Sequence, residues 1–354
     1  MNLTSNLIEV EDNWEAVNDW FLKEKLSDGL PIVPPTAERV EKMLAATTRD
    51  PAAVIGPIPP KWAPCSIEKI AINAVMAGCL PEYLPVIIAA VEAICEPRFN
   101  LYGVQATTGY VGPALLLNGP VRTALNVNCD SGVFGPGFRS NATIGRAIRL
   151  ILITVGGGYP GDTDRSTFGW PGKYTMCFGE NQEKSPWEPY HVEFGFKPDD
   201  SAVTVFGING FLPIHTAGNR GEQALSSLAE VIRMHHGVSH LDVGSFGGGT
   251  PLIALGIEDA EIMARDGITK KQVKDYLWEH ASLKFSEIPA RRKGHKSDDE
   301  LMRESINMTP DGVVHLSTKA EDIMVIVIGG KHRHSVFLPM WTGRNTLCVI
   351  KQIG

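Results

Sequence analysis

The chain has 354 residues, 43% hydrophobic and 21% charged, with a net charge of −7 and a pI near 5.8. Such a chain folds as one large globular domain or two medium ones, and its acidic balance excludes nucleic acid as the main partner, because no basic stripe is left to neutralise phosphates. Its longest apolar runs, Ile148–Val155 and Ile323–Ile328, are too short to cross a bilayer. MNLTSNLIEVED has no secretory pattern, and Cys65, Cys79, Cys95, Cys129, Cys177 and Cys348 form no CxxC pair, so reduced thiols in a cytoplasm are expected.

In chain order, Trp14, Val17, Trp20 and Phe21 share one face of a first helix, which Asp28-Gly29 stops. LPIVPPT follows as an extended, proline-stiffened connection. Thr36 suits the N-cap of a helix burying Val40, Met43 and Leu44. Ser66 does the same for a helix carrying Ile67, Ile70, Ala71 and Ala74, closed by Gly78. Glu82 to Ile94 reads as another helix, with Pro85 tolerated in its first turn. Apolar strands are expected at Ala114–Leu117, Val203–Ile208, Leu252–Leu255, Met324–Ile328 and Leu347–Ile350. Between them lie helices over 142–154 and 222–236, and a third opened by a capping box from Thr269 to Gln272.

Strands alternating with helices predict an α/β fold, with a mixed or parallel sheet, flanking helices and a long loop-lined cleft. The chain divides into an N-terminal helical region (1–100), an α/β core with glycine-rich site loops (101–287), and a charged linker or lid with the C-terminal strands (288–354).

The stretch Thr107 to Phe196 concentrates Gly, Pro, Asn, Arg, Asp and aromatic residues beyond what core packing needs, as functional loops do. Glycine clusters at Gly156–Gly158, Gly247–Gly249 and Gly329-Gly330 follow apolar runs. Gly157, Gly248 and Gly330 are candidates to turn backbone N–H groups onto an anion, although no cluster matches a nucleotide-binding pattern. Ser140 or Asn141 suits the N-cap of the 142–154 helix, and Arg139 stands just before it, so Arg139, Asn141, Arg146 and Lys173 are the anion-holding candidates. Arg149 reads as a solvated surface residue.

Asp162 and Asp164, two residues apart on a loop, are the candidate ligands of a divalent metal, with Glu180, Glu188 and His191 as possible companions. Cys129, flanked by Asn128, Asp130 and Ser131, is the candidate activated thiol. Cys65, at a helix start, is the second. His191, His332 and His334 are the acid–base candidates, with His191 or His332 expected to move the protons and Asp162, Asp164 and Glu188 as alternative bases.

DGLPIVPPT at 28–36, EKIAINAVMAGCLPEYLPVIIAAVEAI at 68–94, FGPGFRSNATIGRAIRLIL at 134–152, GKYTMCFGENQEKSPWEPYHVEFGF at 172–196 and IVIGGKHRHS at 326–335 carry a resemblance across most of the chain. Together they resemble bacterial proteins associated with the UGSC family of (seleno)proteins. That family is named for a Sec/Cys-Gly-Ser-Cys motif, whereas here Gly244-Ser245 is followed by Phe246. The resemblance therefore implies that a partner subunit carries the motif and that this chain is one half of a two-component enzyme.

The leading functional expectation is an enzyme that cleaves a bond in a small polar, anionic substrate, as a lyase or hydrolase. A thiol-redox enzyme is the first alternative. A noncatalytic partner subunit, using Trp62, Trp170, Trp187 and Trp341 as contacts, is the second. Those tryptophans also lead us to expect an oligomer.

Overall fold

The computed structural model describes residues 3–239, 249–287, 297, 299–300, 307–341 and 346–354. It begins with helices that form where their caps place them. In α1 (Trp14–Lys23), α2 (Ala37–Leu44) and α3 (Ile67–Ala77) the N-cap side chains of Asn13, Thr36 and Ser66 each accept from the backbone N–H three residues on. α3 closes on Gly78 at φ 85°, a left-handed conformation that suits glycine. α4 (Leu84–Cys95) carries Pro85 in its first turn, where no intrahelical N–H is lost. α1 stops at Lys23, short of Asp28-Gly29, because Lys25 already turns to φ 58°. A hairpin of β1 (Val54–Ile58) and β2 (Ala63–Ser66) separates α2 from α3. An N-terminal arm is tied down by the buried Glu68 carboxylate, which accepts from Thr4 N and Oγ1 and from Ser5 N.

The remaining elements run α5 (Leu101–Ala106), β3 (Gly112–Asn118), α6 (Val121–Ala124), α7 (Arg139–Thr154), β4 (Cys177–Gly179), β5 (Ala202–Ile208), β6 (Leu212–His215), α8 (Gly221–Ser239), β7 (Leu252–Leu255), α9 (Ile257–Arg265) and α10 (Lys270–His280). After these come a short pair, β8 (Leu283–Lys284) and β9 (Val313–Val314), and then β10 (Met324–Val327), β11 (His334–Leu338) and β12 (Val349–Gln352). The fold is α/β, with two mixed four-stranded sheets. One has the order β12-β5-β3-β4 and the other β10-β7-β11-β6.

The two sheets pack on each other. Ala114, Leu116, Phe178, Phe206 and Ile208 of the first share a cluster with Leu252, Ala254, Met324, Ile326 and Leu338 of the second. Their alternate neighbours face outward under helices. Leu115, Leu117, Val203 and Val205 lie under α3, α4 and α7, while Ile253, Leu255, Val325 and Val327 lie under α8, α9 and α10. The layers are therefore helix, sheet, sheet, helix. Both faces of every central strand are covered, so these strands read as unbroken apolar runs.

The halves repeat one plan. In each, a strand (β3 or β7) is joined through helices to a parallel neighbour (β4 or β10), followed by an antiparallel strand on the other side (β5 or β11). The next strand then leaves its own sheet. β6, which follows β5, pairs antiparallel with β11, and β12, which follows β11, pairs antiparallel with β5. The two departing segments run antiparallel where they cross, with Ile208 opposite Met340, Asn209 N–H donating to Pro339 O and Trp341 N–H to Gly207 O. Each half thus completes its sheet with a strand from the other.

Candidate anion-binding pocket

A cavity of about 500 Å³ lies between the C-terminal half of α7, the 158–174 loop and the segment after α1. Its polar floor is built from Arg149, Asp164 and Lys173. Arg149 is 7% exposed, because the last two turns of α7 are buried on every side. Its Nε–H donates to Lys173 O at 2.6 Å, and among the described residues this is the hydrogen bond its guanidinium makes. Burial pulls the Arg149 pKa down, opposed by Asp164 and Asp28. It remains a cation, since guanidinium does not deprotonate in proteins.

Neither nearby carboxylate is available to it. Asp164, 5% exposed, accepts from Lys173 Nζ at 2.6 Å through Oδ2 and from Ser166 N through Oδ1. Asp28 is held bidentately by Arg146, Nε to Oδ2 at 2.8 Å and Nη2 to Oδ1 at 2.9 Å. Burial also lowers the Lys173 pKa, and the hydrogen bond to Asp164 opposes it. The walls are apolar and aromatic, from Ile153, Tyr159, Phe168, Trp170 and Tyr174.

Of the expected site residues, Lys173 and Asp164 meet here, joined to each other. Asp162 is exposed on the same loop, and among the described residues no group of three or more His, Cys, Asp or Glu is placed to hold a metal. Asp164 is paired with Lys173 and not with Asp162. Arg146 serves the Asp28 turn, also donating to Leu30 O and Pro31 O. Arg139 is exposed and does not line this pocket. Its Nε and Nη2 donate to Gly78 O, closing the C-terminus of α3. The N-cap of α7 is Phe138, without a side-chain bond, so neither Ser140 nor Asn141 fills that place. Asn141 instead grips Asn128, accepting from its N–H and donating to its carbonyl, which fixes the loop before Cys129.

The glycines of the first and third clusters have other uses. The N–H groups of Gly156, Gly157 and Gly158 point back to Ile151, Ile153 and Leu152 carbonyls and cap α7. Gly330 packs against Ser131, where a Cβ would stand 2.3 Å from Oγ. Gly248, like Gly244-Ser245-Phe246, lies outside the described residues.

Cys129 sits elsewhere, half-buried at the ends of β4 and β10, with Arg122 Nη1 3.8 Å from Sγ and Gly329 N donating to its carbonyl. Burial pushes its thiol up, more than Arg122 pulls it down, so Cys129 rests as a thiol and not as the expected thiolate. Cys65 is pushed up to about 12 by burial. His191 is 0% exposed, Nε2 faces Lys197 O at 3.0 Å, and burial lowers its pKa, so it cannot exchange protons with a substrate. His332 is exposed in the β10–β11 turn. Glu188 lines a separate cleft beside α10, its carbonyl holding Lys270 Nζ. None of Cys129, His191, His332 or Glu188 lines the Arg149 pocket.

Beside Cys129, Asn118 ends β3 and Glu180 directly follows β4, and both are fully buried. Glu180 Oε2 accepts from Asn118 Nδ2 and Tyr190 N, while Glu180 Oε1 and Asn118 Oδ1 have no donor among the described residues. Burial raises the Glu180 pKa, opposed first by Lys270. One proton on Glu180 would relieve this shortage of donors.

Sequence reasoning missed Arg149 and the aromatic wall. The available signal was the run Ile148–Ile153, apolar on both sides of Arg149, which leaves no solvated face for it. Comparison with protein families, characterised proteins and solved structures found no match for this chain. Among the described residues, no helix is long and apolar enough to cross a membrane.

Proposed function

We propose that the protein is an enzyme that binds a small anionic substrate in the Arg149 pocket and cleaves a bond in it by proton transfer. One observation carries this reading. A nearly buried guanidinium, with its terminal amino groups uncommitted among the described residues, shares a cavity with a Lys–Asp pair. Arg149 would grip the anion through both terminal nitrogens. The Lys173–Asp164 pair holds a proton between Nζ and Oδ2 and can hand it to, or take one from, a substrate carbon or leaving group. A lyase fits better than a hydrolase that uses Cys129, because that thiol is protonated and outside the pocket.

Thermal unfolding of the native chain and of Arg149→Met, each with millimolar acetate, sulfate and inorganic phosphate, tests the binding half. A ligand at 100 times its Kd adds about 2.7 kcal/mol of stability, so the native protein should rise in Tm with an anion that leaves the variant unmoved. Equal shifts in both would overturn the assignment. Lys173→Met should then keep anion binding while losing turnover of any substrate found.

A further inference from the structure

Resting on that reading, we infer that the pocket's ligand is a monocarboxylate with an apolar, flat body. The anionic end follows from how the charges are partnered. Arg146 is committed to Asp28 and Lys173 to Asp164, which leaves Arg149 as the one cation among these described groups without a carboxylate at salt-bridge distance. Its Nε–H is used by Lys173 O, so the remaining donors are the two terminal amino groups. That pair matches the two oxygens of a carboxylate. A dianion would bring a second charge into a half-enclosed site with no partner for it, and burying an unpaired charge is costly.

The apolar body follows from the walls. The cavity, about 500 Å³, falls within the range of pockets that take ligands much larger than an inorganic anion. Phe168 is 87% exposed and Tyr174 48%, both on the cavity lining, so ring surface stands in water unless something covers it. The loop that carries Phe168 is itself pinned, with Ser166 N–H donating to Asp164 Oδ1 and Gly169 N–H to Ser166 Oγ. Phe168 is thus held at the mouth by the same aspartate that holds Lys173. A planar hydrocarbon group between Phe168, Trp170 and Tyr174 would cover these rings, and stacking adds to the area buried.

Isothermal titration of the full chain with four probes tests this, using 3-phenylpropanoate, its neutral amide, acetate and succinate. Phenylpropanoate should bind at least about tenfold more tightly than acetate, through the covered apolar area, and about tenfold more tightly than its amide, through the charge. Phe168→Ala, at an exposed position that does not threaten folding, should weaken phenylpropanoate and leave acetate unchanged. Succinate or acetate binding as tightly as phenylpropanoate, with the effect lost in Arg149→Met, overturns this ligand class and leaves the anion site standing. No probe binding in an Arg149-dependent way overturns both.

Discussion

Glu180 shows how a single buried carboxyl writes itself into the behaviour of the protein. Its folded pKa is raised by burial, so the proton binds the native state more tightly than the unfolded one. The associated stability is fully present below the unfolded value, near 4.5, and is lost as pH rises through the folded pKa. Glu180→Gln keeps an acceptor for Tyr190 N–H and carries no charge. The variant should gain on the native protein as pH climbs from about 4.5 to 8, by about 1 kcal/mol for each unit by which the folded pKa is raised. Urea unfolding at several pH values measures this, and parallel curves for the two proteins would show that Glu180 is ionised when folded. Arg149 is the opposite kind of buried charge, one that cannot discharge itself by losing a proton and so must find a counter-ion or stay uncompensated.

At the level of elements, α7 does the most positioning. It crosses the edge of β4 so closely that a Cβ on Gly145 would stand 2.4 Å from Thr175 Oγ1 and 2.7 Å from Met176 N. Alanine normally favours a helix over glycine by about 1 kcal/mol, yet here backbone must move to admit it. Gly145→Ala should therefore destabilise by about 1–3 kcal/mol in a denaturant titration, and a gain in stability would show that the crossing is looser. Local chemistry of this kind was only partly legible. Caps at Thr36, Ser66 and Thr269 were readable because each needs only three residues of chain. Strand positions were readable as apolar runs. Their assignment to two sheets was not, because residues such as Leu115 and Leu116 are equally apolar whether they face helices or the other sheet. Of the pocket's polar groups, Asp164 and Lys173 stood out in the sequence because they lie in a polar loop, but as a metal ligand and an anion holder and not as partners of each other. The site was hidden where a helix carries a charge inward, since Arg146 and Arg149 differ by one turn and look alike until packing separates them.

For the whole molecule, the exchange of β6 and β12 makes each half depend on the other. Deleting residues 349–354 removes the strand that covers the β5 edge, far away in sequence. Amide exchange should then lose its protection along Val203–Ile208 in the first sheet, before it is lost along His334–Leu338 in the second. Protection lost first in the second sheet would mean that β12 acts through its neighbours in sequence and not through its pairing.

The same crossing bears on how the chain comes off the ribosome. By the time β5 has emerged, the helices α3, α4 and α7 and the strands β3 and β4 are already in place to gather around it, but the strand that seals its outer edge has not been made. Until the second half has been synthesised, the nascent chain presents an open, apolar edge of the kind that pairs with other chains. Any first sheet that assembles on the nascent chain therefore lacks its last strand until the C-terminal residues have been made.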